Sequence, residues 1–337
     1  MVGHHKIAMK LSVIIPTRNR VTLLEKALKS LLVQTFSQVH FEIIVVDNGP
    51  SEEAAEVSRK FQGAIKNLRY VIEPSPGLHN ARHSGMREAR SEFLVYVDDD
   101  IEASPGWLEG VWEGFTKYSA ALVCGKNLPK WETEPPAWLK KLWEATADGK
   151  RSLGYLSVLD FGNEVMEINP SFVWGCNFSI RKSTLLEAGG FHPDSMPSDL
   201  LHMRGDGECH VTSFVGARGY KTIYMPAACV HHLVPRGRMT VDYFRKRAFS
   251  QGVSDSYARL RNNPEITNDI VPKLNTLGKL MSIVPLRRLR SYLLPSDVYV
   301  RSTVDEAYRE GFNWHLHRFL NDEEIRSWVL RENYLDV

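Results

Sequence analysis

Over the first hundred residues, short uninterrupted apolar runs alternate with stretches in which apolar residues recur every three or four positions. Leu11-Ser12-Val13-Ile14-Ile15 reads as a strand ended by Pro16, and Leu23, Leu24, Ala27, Leu28, Leu31 and Leu32 follow at helical spacing. The unit then repeats. Phe41-Glu42-Ile43-Ile44-Val45-Val46 predicts a strand, Asp47-Asn48-Gly49-Pro50 a turn, and Ser51 to Phe61 a more polar helix. Strands over Leu68 to Ile72 and Phe93 to Val97 flank a break at Pro74-Ser75-Pro76-Gly77 and a helix from Leu78 to Arg90. Strands apolar on both faces need cover on both, so the rhythm predicts an α/β fold, a mostly parallel sheet with helices on either side. Open sheets of this kind bind ligands beyond the carboxyl ends of their strands. Pro16 to Arg20, Asp47 to Gly49 and Asp98 to Asp100 all fall at such ends.

Beyond residue 125 the rhythm loosens. Pro129 to Leu139, with Trp131, Pro135, Pro136 and Trp138, predicts a proline-punctuated loop that carries large aromatics into a short helix. Simple packing or a lid or acceptor contact would each suit it. Strand-like segments recur at Ser171 to Ile180, Lys221 to Tyr224 and Cys229 to His232, and from Thr240 the pattern turns helical. No internal repeat is visible.

Composition narrows the class without deciding it. The 337 residues are 43% hydrophobic and 24% charged, ordinary for a globular chain of one large domain plus an appendage. With 42 basic against 40 acidic residues, a formal +2, the balance gives no reason to expect nucleic acid. Cys124, Cys176, Cys209 and Cys229 form no C-x-x-C pair, which argues against a zinc knuckle or a disulfide framework and makes a reducing cytosol the default. Met1 to Lys10 lacks the apolar core of a secretory signal, and no apolar run approaches the ~18 residues of a membrane span.

The densest chemistry is Asp98-Asp99-Asp100, directly behind the strand Phe93 to Val97. Carboxylates packed this tightly repel and raise one another's pKa, and a divalent cation is the usual partner, Mg²⁺ or Mn²⁺ suiting all-oxygen ligands best. Asp47 closes another apolar strand, from which a carboxylate could reach a nucleobase or ribose, although Asp-Asn-Gly is also an ordinary turn. Pro16-Thr17-Arg18-Asn19-Arg20 leads from strand to helix and turns backbone N–H groups, the Thr17 hydroxyl and Arg18 toward one crevice. Neither G-x-G-x-x-G nor G-x-x-x-x-G-K occurs at this first turn, so phosphate would rest on metal and cationic side chains.

Ser12 to Arg20, Ile43 to Gly49, Gly77 to Gly85 with Ala81-Arg82, and Val95 to Asp100, in that order, resemble the family 2 glycosyltransferases of GT-A fold over roughly residues 10 to 240. The resemblance implies a catalytic domain over 10–239, its nucleotide-sugar half about 10–125 and its acceptor half about 126–239, followed by a helical region over 240–337. It implies that Pro16 to Arg20, Asp47 and Arg82 hold the nucleotide. The family's D-x-D signature falls on Asp98 and Asp100, so the triplet shares ribose and metal contacts, with no single role fixed for each. His83 stands where the family usually has Asn. Glu208 falls at the catalytic base position, with Gly207 where an acid usually precedes it and Asp206 as the alternative; helix capping would also place acids here. His232 would meet metal or diphosphate, and Arg238 would clamp phosphate oxygens. Trp174 and Asn177 lie in the acceptor-side segment, where Trp174 would stack on a sugar ring or pack in the core. Cys209 and His210 with His231 lack a suitably spaced second thiol for a metal site.

The activity expected is inverting transfer from a nucleoside-diphosphate sugar, UDP-sugar favoured, to a glycan or lipid-linked acceptor in surface or envelope glycan synthesis, with Mn²⁺ or Mg²⁺. A nucleotidyltransferase would normally show a glycine-rich, lysine-bearing loop near its first strand, which is missing. A silent carbohydrate-binding protein on the same fold is the other alternative. Lys279, Arg287, Arg288 and Arg290 among Leu280, Met281, Ile283, Val284, Leu286 and Leu289 suit either a packed helix or a basic surface resting on anionic lipid at the inner membrane face.

Overall fold

The computed structural model describes residues 9–263 and 296–335. The basic amphipathic stretch from Lys279 to Arg290 lies outside them. An eight-stranded sheet forms the centre. Its strands are β1 (Leu11–Thr17), β2 (Phe41–Asp47), β3 (Leu68–Ile72) and β4 (Phe93–Tyr96) from the first hundred residues. They align in parallel in the order β4-β1-β2-β3, with Thr17 opposite Asp47. Every residue of β1 and β2 is buried, as their unbroken apolar runs require.

Alternation assigns the two faces. Val13 and Ile15 of β1 pack under α1 (Val21–Leu32), α2 (Glu52–Gln62) and α4 (Trp107–Thr116), through Leu24, Phe61 and Val111 among others. Ile14 points the other way, toward α3 (Leu78–Glu88), α6 (Lys182–Glu187) and α7 (Glu208–Ala217), through Ala81, Leu185 and Val211. Helices on both faces follow the prediction.

The sheet is mostly parallel, with β10 (Met166–Glu167) and β11 (Phe178–Arg181) alone reversed among its eight strands. The short strand β11 inserts antiparallel between β4 and β6 (Leu122–Cys124), and β12 (Thr222–Tyr224) and β10 extend that edge. A second sheet of five strands has the order β5-β13-β7-β9-β8 (Ile101–Ala103, Val230–Val234, Asn127–Trp131, Val158–Asp160, Arg151–Leu153). The predicted loop at Pro129 is therefore partly strand, and only its end forms the short helix α5 (Ala137–Leu142).

Beyond residue 240 the described elements are helices: α8 (Val241–Asn262), α9 (Ser296–Asn321) and α10 (Glu323–Val329). Helices α8 and α9 touch backbone to backbone. A Cβ added at Gly252 would lie 1.9 Å from the Tyr308 carbonyl oxygen, and one at Gly311 would lie 2.0 Å from that of Phe249. The chain then returns to the first half. Tyr334 is fully buried, its hydroxyl 2.8 Å from that of Tyr257 and its ring edge-on to His79. Among the described residues no helix is long and apolar enough to cross a membrane.

Candidate active site

A cavity of about 540 Å³ opens at the carboxyl ends of β1 and β4, with walls from α3, α7, β13 and α8. It gathers Pro16, Thr17, Arg18, Arg20, Arg82, Asp98, Asp99, Asp100, Glu208, His232 and Arg238, drawn from six separate stretches of the chain.

The three aspartates meet three environments. Asp99 is locked: its Oδ2 accepts the Thr17 hydroxyl at 2.7 Å and its Oδ1 accepts Arg20 Nη1 at 3.1 Å. Burial pushes its carboxyl up to about 6 against the pull of Arg20. Each oxygen accepts a hydrogen bond from the Pro16–Arg20 segment, which ties Asp99 to that loop. Asp100 accepts Arg238 at 2.8 Å and Arg20 at 3.3 Å on Oδ2, while its Oδ1 stands 3.2 Å from His232 Nε2. Burial opposes ionisation there, but the Arg238 and Arg20 guanidinium groups hold the carboxyl well below the usual range. Asp98 is the open one, its side chain 32% exposed against 4% and 5% for its neighbours. Its nearest cation is Arg82 at 3.9 Å, and burial with Asp100 beside it raises its pKa.

Among the described residues no three His, Cys, Asp or Glu side chains form a ready-made metal cage. The triplet's charge is met by guanidinium groups instead. The donor chemistry nevertheless suits a hard divalent cation. His232 Nδ1 donates to the Leu156 carbonyl at 2.9 Å, which leaves Nε2 as a lone pair in the neutral ring. That nitrogen faces Asp100 Oδ1, a buried oxygen without a hydrogen bond, and Arg238 Nη1 stands 3.2 Å from it. A positive group is thus already at home between the Asp100 carboxylate and the imidazole.

Glu208 opens α7 at the opposite wall. Its Oε2 accepts Arg82 Nη1 at 3.2 Å and its Oε1 accepts the Gly175 N–H at 3.2 Å. Gly207 before it has φ +56°, a region that favours glycine, which accounts for the missing acid at that position. Arg82 is 2% exposed and lies over the Phe191 ring, 5.1 Å from its centroid. Burial alone would lower its pKa, but Glu208, Asp98 and Asp194 hold it above the ordinary value. A Cβ at Gly175 would stand 2.0 Å from Arg82 Nη2, so only glycine permits this approach.

Several expected site residues fall elsewhere. Asp206 does not line the cavity; it pairs with His192 Nδ1 at 2.6 Å, behind α7, which leaves Glu208 as the acid that faces the cavity. The Asp47 carboxylate is fully buried and accepts from Gly49 N, Ser51 N and Tyr70 Oη, so Asn48 rather than Asp47 reaches the cavity wall. Asn19, at φ 55°, points its exposed side chain away from the lining. Asn177 is fully buried, both its amide donors spent on Asn127 and the Ala228 carbonyl and its Oδ1 accepting the Trp107 indole N–H, so it does not reach the cavity. Trp174 packs half-buried between the cores on either face of the sheet, while Gly175 and Cys176 after it line the cavity. His83 accepts the Phe191 N–H at 2.8 Å and stacks on that ring, a structural contact in place of the family's asparagine.

The sequence reading passed over Asp194, Tyr155, Tyr243 and Arg247, all of which line the cavity. Tyr243 and Arg247 were legible in principle. They stand four apart, each one residue before a member of the buried pair Phe244 and Ala248.

The family profile described as "Glycosyl transferase family 2" matches residues 12–187. A glucosyl-dolichyl phosphate glucuronosyltransferase of Haloferax volcanii is 24% identical over 288 residues, 84% of this chain and 87% of that one. A GalNAc(5)-diNAcBac-PP-undecaprenol beta-1,3-glucosyltransferase of Campylobacter jejuni is 38% identical over 101 residues, 29% of this chain and 32% of that one. Among solved structures, a mannosyltransferase of Pyrobaculum calidifontis in complex with GDP-Man and Mn²⁺ superimposes with a TM-score of 0.52 at 18% identity, covering 95% of this chain and 83% of the other. That likeness carries the GT-A fold.

Proposed function

The chain belongs to glycosyl transferase family 2, and from that premise we propose that it is an inverting, metal-assisted transferase moving a sugar from a nucleoside diphosphate, UDP first, to the hydroxyl of a lipid-linked or glycan acceptor in surface glycan synthesis. The observation that carries this reading is the placement of the Glu208 carboxylate in the same cavity as the aspartate triplet, with Arg82 between Glu208 and Asp98. Base and donor-phosphate machinery thereby face one volume, as a single in-line displacement needs. The names of the Haloferax and Campylobacter relatives, both acting on lipid-linked sugars, support the acceptor class.

In the proposed reaction the acceptor oxygen attacks the anomeric carbon while Glu208 takes its proton. The bond from that carbon to the diphosphate oxygen breaks, and its electron pair leaves with the nucleoside diphosphate, so one displacement inverts the centre. Arg82 and the Gly175 N–H fix the Glu208 carboxylate, and Arg18 and Arg238 lie where they can meet the diphosphate. Mn²⁺ or Mg²⁺ would be held by Asp98, Asp100 and His232, and when bound it supplies positive charge against the departing phosphate oxygens.

Glu208→Gln tests the assignment. Loss of a general base lowers transfer by ~10²- to 10⁴-fold, while calorimetry should find UDP affinity nearly unchanged. Wild-type turnover in the variant would remove Glu208 from the role. A thermal-shift screen of UDP-, GDP- and dTDP-sugars with Mn²⁺ identifies the donor, since bound ligand stabilises by mass action.

A further inference from the structure

We propose that Arg247, with Tyr243 and Tyr155, forms an oxyanion subsite in this cavity, taking a phosphate or carboxylate separate from the donor's diphosphate. The proposal rests on the transferase reading above, because it concerns what else the same cavity holds.

The guanidinium groups of the cavity divide by their partners. Arg20 is paired with Asp99 and Asp100, Arg82 with Glu208, and Arg238 with Asp100, while Arg18 is exposed to solvent. Arg247 lines the same cavity, yet its Nε is buried without a hydrogen bond. An unsatisfied buried donor is costly, and a charged one more so, hence the position calls for an acceptor that the described residues do not supply. Bidentate recognition of phosphate or carboxylate is what a guanidinium does best.

Two charge neighbourhoods share the cavity. The largest influences on the aspartate triplet include Arg20, Arg82, His232 and Arg238, and Arg247 is not among them. Arg247 instead biases Asp194 and Tyr155. Asp194 is already engaged, 2.8 Å from Arg204. With Asp194 so engaged and the Arg247 Nε unbonded, Arg247 keeps capacity for a second anion.

The wall that carries it is stiff. Tyr243 and Arg247, four apart on α8, project from one face. Phe244 beside them is buried edge-on against Trp138 at 5.0 Å and Tyr155 at 5.7 Å, which fixes both the helix and the Tyr155 ring. Helix α8 lies beyond residues 12–187, the stretch that the family profile matches, whereas Tyr155 lies within it.

The test is calorimetric titration of inorganic phosphate into the protein saturated with UDP and Mn²⁺. Wild type should bind phosphate; Arg247→Ala should weaken it about ten- to a hundredfold, the worth of a charge-assisted hydrogen bond, with UDP affinity held within about threefold. Arg247→Lys should recover part of the loss, and Arg247→Gln replaces the alanine variant if truncation disturbs folding. Unchanged phosphate affinity in the variant, no phosphate binding in wild type, or an equal loss for UDP would each overturn the proposal. If wild type fails to bind UDP, the donor assignment falls, and the titration without UDP still decides the subsite. Octyl phosphate, and UDP-glucuronate against UDP-glucose, then tell the sources apart. Loss of octyl phosphate binding in the variant identifies an acceptor phosphate, and loss of a glucuronate preference identifies a carboxylate on the donor sugar.

Discussion

Lowering the pH from 7.5 to 5 is expected to destabilise the fold by about 5 kcal/mol, chiefly through buried histidines that must stay neutral. Burial depresses His79 to about 4, His83 to about 3 and His315 to about 4, against ~6.5 in an unfolded chain. Each is at most 1% exposed, and neither ring nitrogen of His79 has a hydrogen-bond partner. A histidine with a depressed folded pKa contributes stability fully above the unfolded pKa, and that contribution is lost as pH falls from ~6.5 toward the folded value. At pH 5 the unfolded imidazoles are nearly all charged and the folded ones neutral, so each withdraws about 2 kcal/mol. Asp99 acts in reverse: with its folded pKa raised to about 6, the native state gains protons first, which returns about 1.4 kcal/mol at pH 5. His192, hydrogen-bonded to Asp206 across 2.6 Å and stacked on His210, forms with them one cluster of opposing shifts, and the three are left out of the count. A net loss of about 5 kcal/mol is comparable to the whole stability of many domains, roughly 5–15 kcal/mol. At about 2–4 °C per kcal/mol, the melting temperature should fall by roughly 10–20 °C. Scanning fluorimetry at fixed ionic strength measures it, and His79→Phe should remove about a third of the histidine effect. A flat profile between pH 7.5 and 5, or an unchanged slope in the variant, would refute the reasoning.

Two further substitutions probe the site directly. Gly175→Ala places a methyl where Arg82 Nη2 now sits 2.0 Å away; displacing that buried guanidinium frees Glu208, and kcat should drop ~10²-fold or more with donor affinity less affected, as steady-state kinetics would show. Asp100→Ala removes one carboxylate from the proposed cation site, so Mn²⁺-dependent UDP binding should weaken at least tenfold by calorimetry, and chelation should bring wild type down to the variant's level. Equal affinity before and after that change counts against Asp100 as a ligand.

Strands β1, β2 and β4 were readable because burial on both faces writes their length as an apolar run, and the half-buried edge strand β3 still matches Leu68 to Ile72 residue for residue. The rest of the sheet left a fainter trace: Lys221 to Tyr224 anticipates β12 and Ser171 to Ile180 overlaps β11, but β6 and β10 were not read. Strand β11 has four residues and β6 and β12 three each, too short for any periodicity to develop, and their direction is set by packing partners distant in sequence. Residue type misled for the same reason at Asn177 and Asp47, where a polar group at a strand end looks like a ligand and is in fact spent on neighbouring backbone. Glu208 and Asp206, two residues apart, could not be ranked from the sequence. The positive φ of Gly207 separates them, turning one into the cavity and the other toward His192.

The glycine contact between α8 and α9 sets how far Tyr243 and Arg247 stand from the rest of the cavity. Since Gly252 and Gly311 each press on a carbonyl oxygen, the crossing has no slack, and a single methyl at either would wedge the pair apart by more than a side-chain rotation can absorb. The proposed oxyanion subsite thus depends on two glycines that never meet a ligand.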